Sequence, residues 1–269
     1  MQNRRSWMMS AAGAAASRGR KSNLLFLISD DHAGYVLGAD GNRLARTPGL
    51  DRLAAEGTRF AAHYCNSPVS TPSRQSFFTG LMPSAAGVTV LRTPLSEEKP
   101  TLAKQLRHAG YDTGVIGKMH FNQRAKPDLH GFRLVMTEDE VQRKWAGEVQ
   151  SKPLPDGART KPGWRPFKDP ARIWLNAEKL PYPRYEADMK GTYIAEQACR
   201  FLREHRDDPF ALWVSLMEPH SPYDFPFEDR DRFDAARFPV PRVGPEDPPQ
   251  IPIIFRDLTP AEKQGIAAA

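Results

Sequence analysis

Two adjacent carboxylates, Asp30 and Asp31, close the apolar run "NLLFLIS" (residues 23–29), and Lys118 and His120 follow "DTGVIG" (112–117). His220 comes just after "FALWVSLM" (210–217), and in "YCNSPVSTPSRQSFFTG" (64–80) Ser70 stands four residues ahead of Arg74. Two carboxylates side by side repel unless a cation neutralises them, and a hard divalent ion with oxygen ligands, Ca²⁺ or Mg²⁺, suits such a pair. Taken alone, the dipeptide is better explained by a turn or a helix cap; its place at the end of an apolar run tips the reading toward the ion. Lys118, His120, His220 and Arg74 add donors and positive charge, a set that favours an oxyanion over a carbonyl. Each histidine by itself is more often structural; together they argue for a site.

The elements that must position these groups alternate along the chain. "NLLFLIS" has the length and continuous apolarity of a buried parallel strand; "DTGVIG" and "FALWVSLM" read as further strands, and so does "TRFAAHY" (58–64). "TPGLDRLAAEG" reads as a helix with Thr47 as N-cap, Pro48 in the first turn, Leu50, Leu53 and Ala54 on one face and Gly57 as terminator. "TPSRQSFFTG", "TLAKQLRHAGY" and "TYIAEQACRFLREH" supply three more helices. Residues 122–190, rich in Pro, Trp and Arg, read as a loop-rich insertion, and 223–260 as irregular. The expected fold class is therefore α/β with a mainly parallel sheet. In such sheets ligands bind beyond the carboxyl ends of the strands, which is where Asp30-Asp31, Lys118/His120 and His220 all fall. Pro72 in a first helical turn places Ser70 at or just before a helix N-terminus, where free N–H groups and the dipole favour an anionic centre. Cys65 lies outside that geometry and reads as a small buried hydrophobe at a strand end.

Composition sets outer bounds. The 269 residues suffice for a sizeable core, and the net charge of +6 comes from scattered Lys and Arg rather than basic runs, so nucleic-acid binding is not expected. Two cysteines make neither a disulfide framework nor a metal-ligand pattern, and no apolar stretch is long enough to span a membrane. "MQNRRSWMMSAAGAAASRGRKS", with Arg4-Arg5 ahead of a short apolar run, resembles a twin-arginine export signal. Residues 1–21 are set apart from the fold on that ground, and the expected location is exported or periplasmic, with the cytoplasm as the alternative.

"STPSR" (70–74) resembles the signature of the type I sulfatases of the alkaline-phosphatase-like superfamily: Cys or Ser, any residue, Pro, any residue, Arg. "CNSPV" fails it, because Pro68 comes one place late and Val69 stands where Arg is needed. "LISDDH", "TPGLDRLAAEGTRF", "LRHAGYDTGVIGKMHF" and "MEPHSPY" extend the resemblance over most of residues 23–225. It implies an alkaline-phosphatase-like fold and a sulfuric ester hydrolase acting on a small sulfated ester or sugar. It further implies that a maturation enzyme oxidises Ser70 to formylglycine, whose hydrated form attacks sulfur with one hydroxyl and releases sulfate on deprotonation of the other. By the same resemblance Asp30, Asp31 and the residue at 70 are ligands of a divalent metal, usually Ca²⁺. Arg74 and Lys118 hold the diol and the sulfate, His120 takes the diol proton, and His220 lies near the leaving oxygen.

The family's downstream metal-ligand pair, Asp-Asn or Asp-His, and a further Lys have no counterpart before Ala269. The expectation is an N-terminal portion of the catalytic domain (residues 22–269), incomplete at its C-terminus, with weak metal binding and little turnover. A phosphonate or phosphate ester hydrolase of the same superfamily, using Ser70 unmodified, is the second reading. A non-catalytic remnant that binds sulfated ligands is the third.

Overall fold

The computed structural model describes residues 21–163, 170–240 and 242–269; the expected leader therefore lies, apart from Lys21, outside the described residues. Four strands, β1 (Leu24–Ile28), β2 (Asp112–Gly117), β3 (Leu134–Thr137) and β4 (Phe210–Ser215), form one sheet in the order β1-β4-β2-β3. Every pairing is parallel. The register sets Ile28 and Gly117 against Ser215, and Gly117 against Thr137. All four strands thus finish level, and whatever follows them emerges on one rim.

Among the described residues six longer helices accompany the sheet: α1 (Pro48–Glu56), α2 (Ser70–Thr79), α3 (Leu102–His108), α4 (Glu138–Glu148), α5 (Lys190–Glu204) and α6 (Pro260–Ala268); shorter helical turns lie between them. Strand β4 is buried on both sides. Ala211 and Trp213 join Phe78, Phe121 and Phe132 in one core layer, and Phe210, Leu212 and Val214 join Trp145, Ile194 and Phe201 in the other. Two faces covered by helices explain why its sequence reads as an unbroken apolar run. The long amphipathic helix α5 buries Tyr193, Ile194, Ala198 and Phe201 on one face. Gly80, at φ 72°, ends α2 in the left-handed conformation glycine adopts freely.

Several expectations need correction. Strand β1 is only half buried: Leu24, Phe26 and Ile28 pack inward, whereas Leu25 and Leu27 are 44% and 60% exposed. It is an edge strand with one covered face. Helix α1 forms where expected but buries no residue, and Leu50 and Leu53 lie open. Thr47 stands at its N-cap, yet its hydroxyl donates to the Asp51 carboxylate and accepts from the Gly38 N–H, both at 2.9 Å, instead of capping α1. Residues 58–64 form no strand and stay exposed. Within 122–190 the chain builds β3 and α4, regular structure that the loop-rich reading did not anticipate.

A buried histidine ties the loop after β2 to the body. His130, fully buried, has Nε2 at 2.7 Å from Gln123 Oε1 and Nδ1 at 3.4 Å from Glu97 Oε2, and its ring meets Phe121 at 4.7 Å. Burial pushes its pKa down to about 4; Glu97 opposes the shift, and Lys104 and Lys126 reinforce it. A histidine whose folded pKa is depressed binds fewer protons folded than unfolded. Its neutral form therefore supports the fold above the unfolded value of 6.5 and loses that contribution as pH falls toward 4. Urea unfolding at pH 7 and pH 5 should show a loss of about 1–2 kcal/mol, and His130→Gln should flatten that slope.

Candidate active site

The C-terminal rim gathers the groups in the order the register dictates. Asp30 follows β1 by two residues, Lys118 follows β2 directly, Glu138 follows β3 directly, and His220 follows β4 after a short turn. Helix α2 points its first turn at the same place, with Ser70 as its first residue after Val69 at the N-cap.

Arg74 is the hub. Its Nη2 donates to Asp30 Oδ1 at 2.7 Å, its Nη1 donates to the Lys118 carbonyl at 2.6 Å and to Ser215 Oγ at 2.8 Å, and its Nε donates to Ser70 Oγ at 3.1 Å. Lys118 Nζ donates to the other oxygen of Asp30. The three charged side chains are each about nine-tenths buried. Burial alone pushes the Asp30 carboxyl up; Lys118 and Arg74 outweigh it and hold the pKa below the ordinary carboxylate value. The site thus keeps one buried anion against two cations.

Around this pair opens a cavity of about 600 Å³ whose walls include Asp31, Ser70, Lys118, His120 and His220. Asp31 sits at φ 59° with its side chain 69% exposed, and its Oδ2 lies 3.8 Å from His220 Nε2. His120, at φ 53°, is held low in pKa first by burial and then by Lys118, with Glu138 pulling the other way. The structure brings all seven sequence-predicted residues together: six line the cavity, and Arg74 binds Asp30 and Ser70 from beneath. Cys65, by contrast, is exposed and adjoins no strand, so the reading of it as a buried hydrophobe is corrected.

The Sulfatase family profile matches residues 22–239. The chain belongs to the sulfatase family. It is 29% identical over 235 residues to N-acetylgalactosamine-6-sulfatase of Canis lupus familiaris, covering 80% of this chain and 43% of that relative. It is likewise 29% identical over 243 residues to choline-sulfatase of Rhizobium meliloti, with 83% and 43% covered. This member of the sulfatase family thus spans 43% of the length of either of these curated relatives. Among solved structures, the phosphonate monoester hydrolase of Agrobacterium radiobacter superposes with a TM-score of 0.71 at 20% identity, over 92% of this chain and 55% of that one. That likeness places the chain in the alkaline-phosphatase-like fold expected from the sequence.

The candidate site contains residues that the sequence reading missed. Glu138 accepts backbone N–H groups of the Lys118–His120 turn, Ser215 accepts from Arg74, and Met217 Sδ stands 3.4 Å from Lys118 Nζ. A signal for Glu138 was present: "TEDE" (137–140) is an acidic first turn behind a threonine, a common helix start. Among the described residues no helix is long and apolar enough to cross a membrane.

The donor set does not fit a divalent cation by itself. Both Asp30 oxygens already accept from Arg74 and Lys118, and among the described residues no group of three or more His, Cys, Asp or Glu side chains is arranged to hold a metal. Ca²⁺ takes six to eight oxygens, which Asp31, Ser70 and a shared Asp30 do not supply. What the arrangement can do is bind an oxyanion at the start of α2, against Lys118, His120 and the N–H groups of the first turn.

Proposed function

We propose that this chain carries the nucleophile half of a sulfuric ester hydrolase, with Ser70 as the residue converted to formylglycine. The observation that carries the reading is the Arg74 Nε to Ser70 Oγ bond of 3.1 Å inside the signature "STPSR", at the mouth of a cationic cavity. An aldehyde at position 70 would supply, on hydration, a second hydroxyl through which sulfate can be expelled without a further attack on sulfur. The chain's own residues do the rest. Arg74 holds the oxygen on residue 70 and keeps it close to ionisation, while its Asp30 partner fixes the guanidinium plane. Lys118 meets a sulfate oxygen and offsets charge that builds up during transfer. His120, kept neutral by its surroundings, accepts a proton from the oxygen on residue 70. His220, across the cavity beside Asp31, is assigned to the leaving alcohol oxygen. A small sulfated ester or sulfated sugar is the substrate class, in keeping with the names of the two curated relatives. No step is assigned to a metal, because the residues described do not complete a site for one.

The test is mass spectrometry of the peptide spanning Ser70, after coexpression with a serine-oxidising maturation enzyme, paired with hydrolysis of an aryl sulfate and an aryl phosphonate by a chain completed with the family's downstream metal-ligand segment. The expected peptide is lighter by two hydrogens. Ser70→Ala should abolish both the mass change and the turnover, and Cys65→Ala should alter neither. An unchanged Ser70 mass in a chain that hydrolyses aryl sulfate refutes formylglycine. Faster hydrolysis of the phosphonate would replace the sulfuric ester by a phosphonate ester.

A further inference from the structure

We propose that Glu138 is a positioning residue that grips the Lys118–His120 turn and directs the His120 Nε2–H toward its carboxylate, leaving the ring's lone pair on Nδ1. The inference builds on the role proposed above for His120. Glu138 is the first residue of α4, and its carboxylate accepts the backbone N–H of His120 at 2.9 Å through Oε1 and that of Met119 at 3.3 Å through Oε2. The same turn is held from its other side, where Gln75 Nε2 donates to the carbonyls of Met119 and His120, each at 3.0 Å. A turn whose N–H groups and carbonyls are both engaged has little freedom to move the imidazole it carries.

The ring itself reports the same partner. His120 Nε2 lies 3.9 Å from Glu138 Oε1, and Nδ1 is buried without a hydrogen-bond partner. A neutral imidazole has one N–H and one lone pair, and a carboxylate beside one nitrogen favours the proton there. The lone pair then falls to Nδ1. The charged groups that act on His120 are Lys118 and Arg74, which disfavour a second proton, and Glu138 and Asp30, which favour it. Asp30 is committed to Arg74 and Lys118, so Glu138 is the one of these carboxylates left to orient the ring.

Heteronuclear NMR on the 269-residue chain tests this without turnover, with the His120 ring signals assigned by their loss in His120→Gln. In the wild-type chain the Nε2–H tautomer should predominate; a predominant Nδ1–H form overturns the proposal with no variant needed. Glu138→Gln keeps an oxygen for one of the two backbone N–H groups and removes the charge. It should lower the His120 titration midpoint and raise the Nδ1–H population, and Glu138→Asp should restore both toward wild type. An unchanged His120 in a folded Glu138→Gln chain sinks the idea, as does a failure of Glu138→Asp to restore it. Should Glu138→Gln not fold, the wild-type tautomer decides. Since the readout is protonation and not catalysis, failure here is separate from failure of the ester-hydrolase reading, which turns on the chemistry of position 70.

Discussion

Replacing Asp30 with alanine should cost about 3–5 kcal/mol of unfolding free energy, the range typical when one partner of a buried ion pair is removed. Asp30, Arg74 and Lys118 are each almost wholly buried, and each oxygen of the carboxylate serves one cation. Alanine would leave a guanidinium and an ammonium close together in a low-dielectric setting with no anion between them. Arg74 would retain the Lys118 carbonyl, Ser215 and Ser70 as acceptors, whereas Lys118 would be left with the Met217 sulfur. Denaturant unfolding of the two chains at neutral pH measures the cost, and a loss under 1 kcal/mol would mean that the cations escape to water. The same triad sets an acid limit. The Asp30 pKa is lower folded than unfolded, so its contribution is complete above the unfolded value of 3.8 and disappears as pH falls through the lower folded one. Asp30→Ala should therefore lose its disadvantage against wild type in strong acid.

Gly117→Ala should be comparably severe, at about 3 kcal/mol or more. Gly117 has φ 101°, and a Cβ built there would stand 1.9 Å from the carbonyl oxygen of Ser215 on the neighbouring strand. The obstacle is backbone, so no rotamer change relieves it. The damage is also aimed at the site. Lys118 N–H donates to that same Ser215 oxygen at 3.0 Å, and the Ser215 hydroxyl accepts from Arg74. Pushing β2 away from β4 displaces the residue that carries the ammonium and loosens the seat of the guanidinium. Thermal unfolding reads the stability, and a wild-type melting temperature in Gly117→Ala would show that the strands separate more easily than the packing indicates.

The rim was legible in the sequence because its strands are unambiguous. Strand β4 is covered on both faces, so its apolar run is nearly unbroken, and β2, buried beyond Asp112, stops like β4 where the chain meets polar chemistry. Proline and glycine mark α2 at both ends, which placed Ser70 at the helix start before any fold was known. What stayed illegible has a physical cause in each case. Strand β3 is four residues long, and α4 buries only Val141 and Trp145, too little for periodicity to register. Residues 58–64 carry Phe60 and Tyr64 but find no partner strand, and those rings lie exposed. Helix α1 shows that an amphipathic pattern predicts a helix without predicting that anything packs on it. Glu138 escaped notice because its role is to hold backbone N–H groups, a function that leaves only the general mark of an acidic first turn.

The free flank of β1 has a practical consequence. Among the described residues β1 is hydrogen-bonded to β4 alone, so its outer row of amide and carbonyl groups is a template for another extended segment, and Leu25 and Leu27 make the adjoining surface adhesive. Folded proteins ordinarily blunt such a margin with lysine, proline or a covering element. Here the stretch from Leu24 to Ile28 has neither charge nor proline, which makes it the place where self-association of the isolated chain would begin as concentration rises.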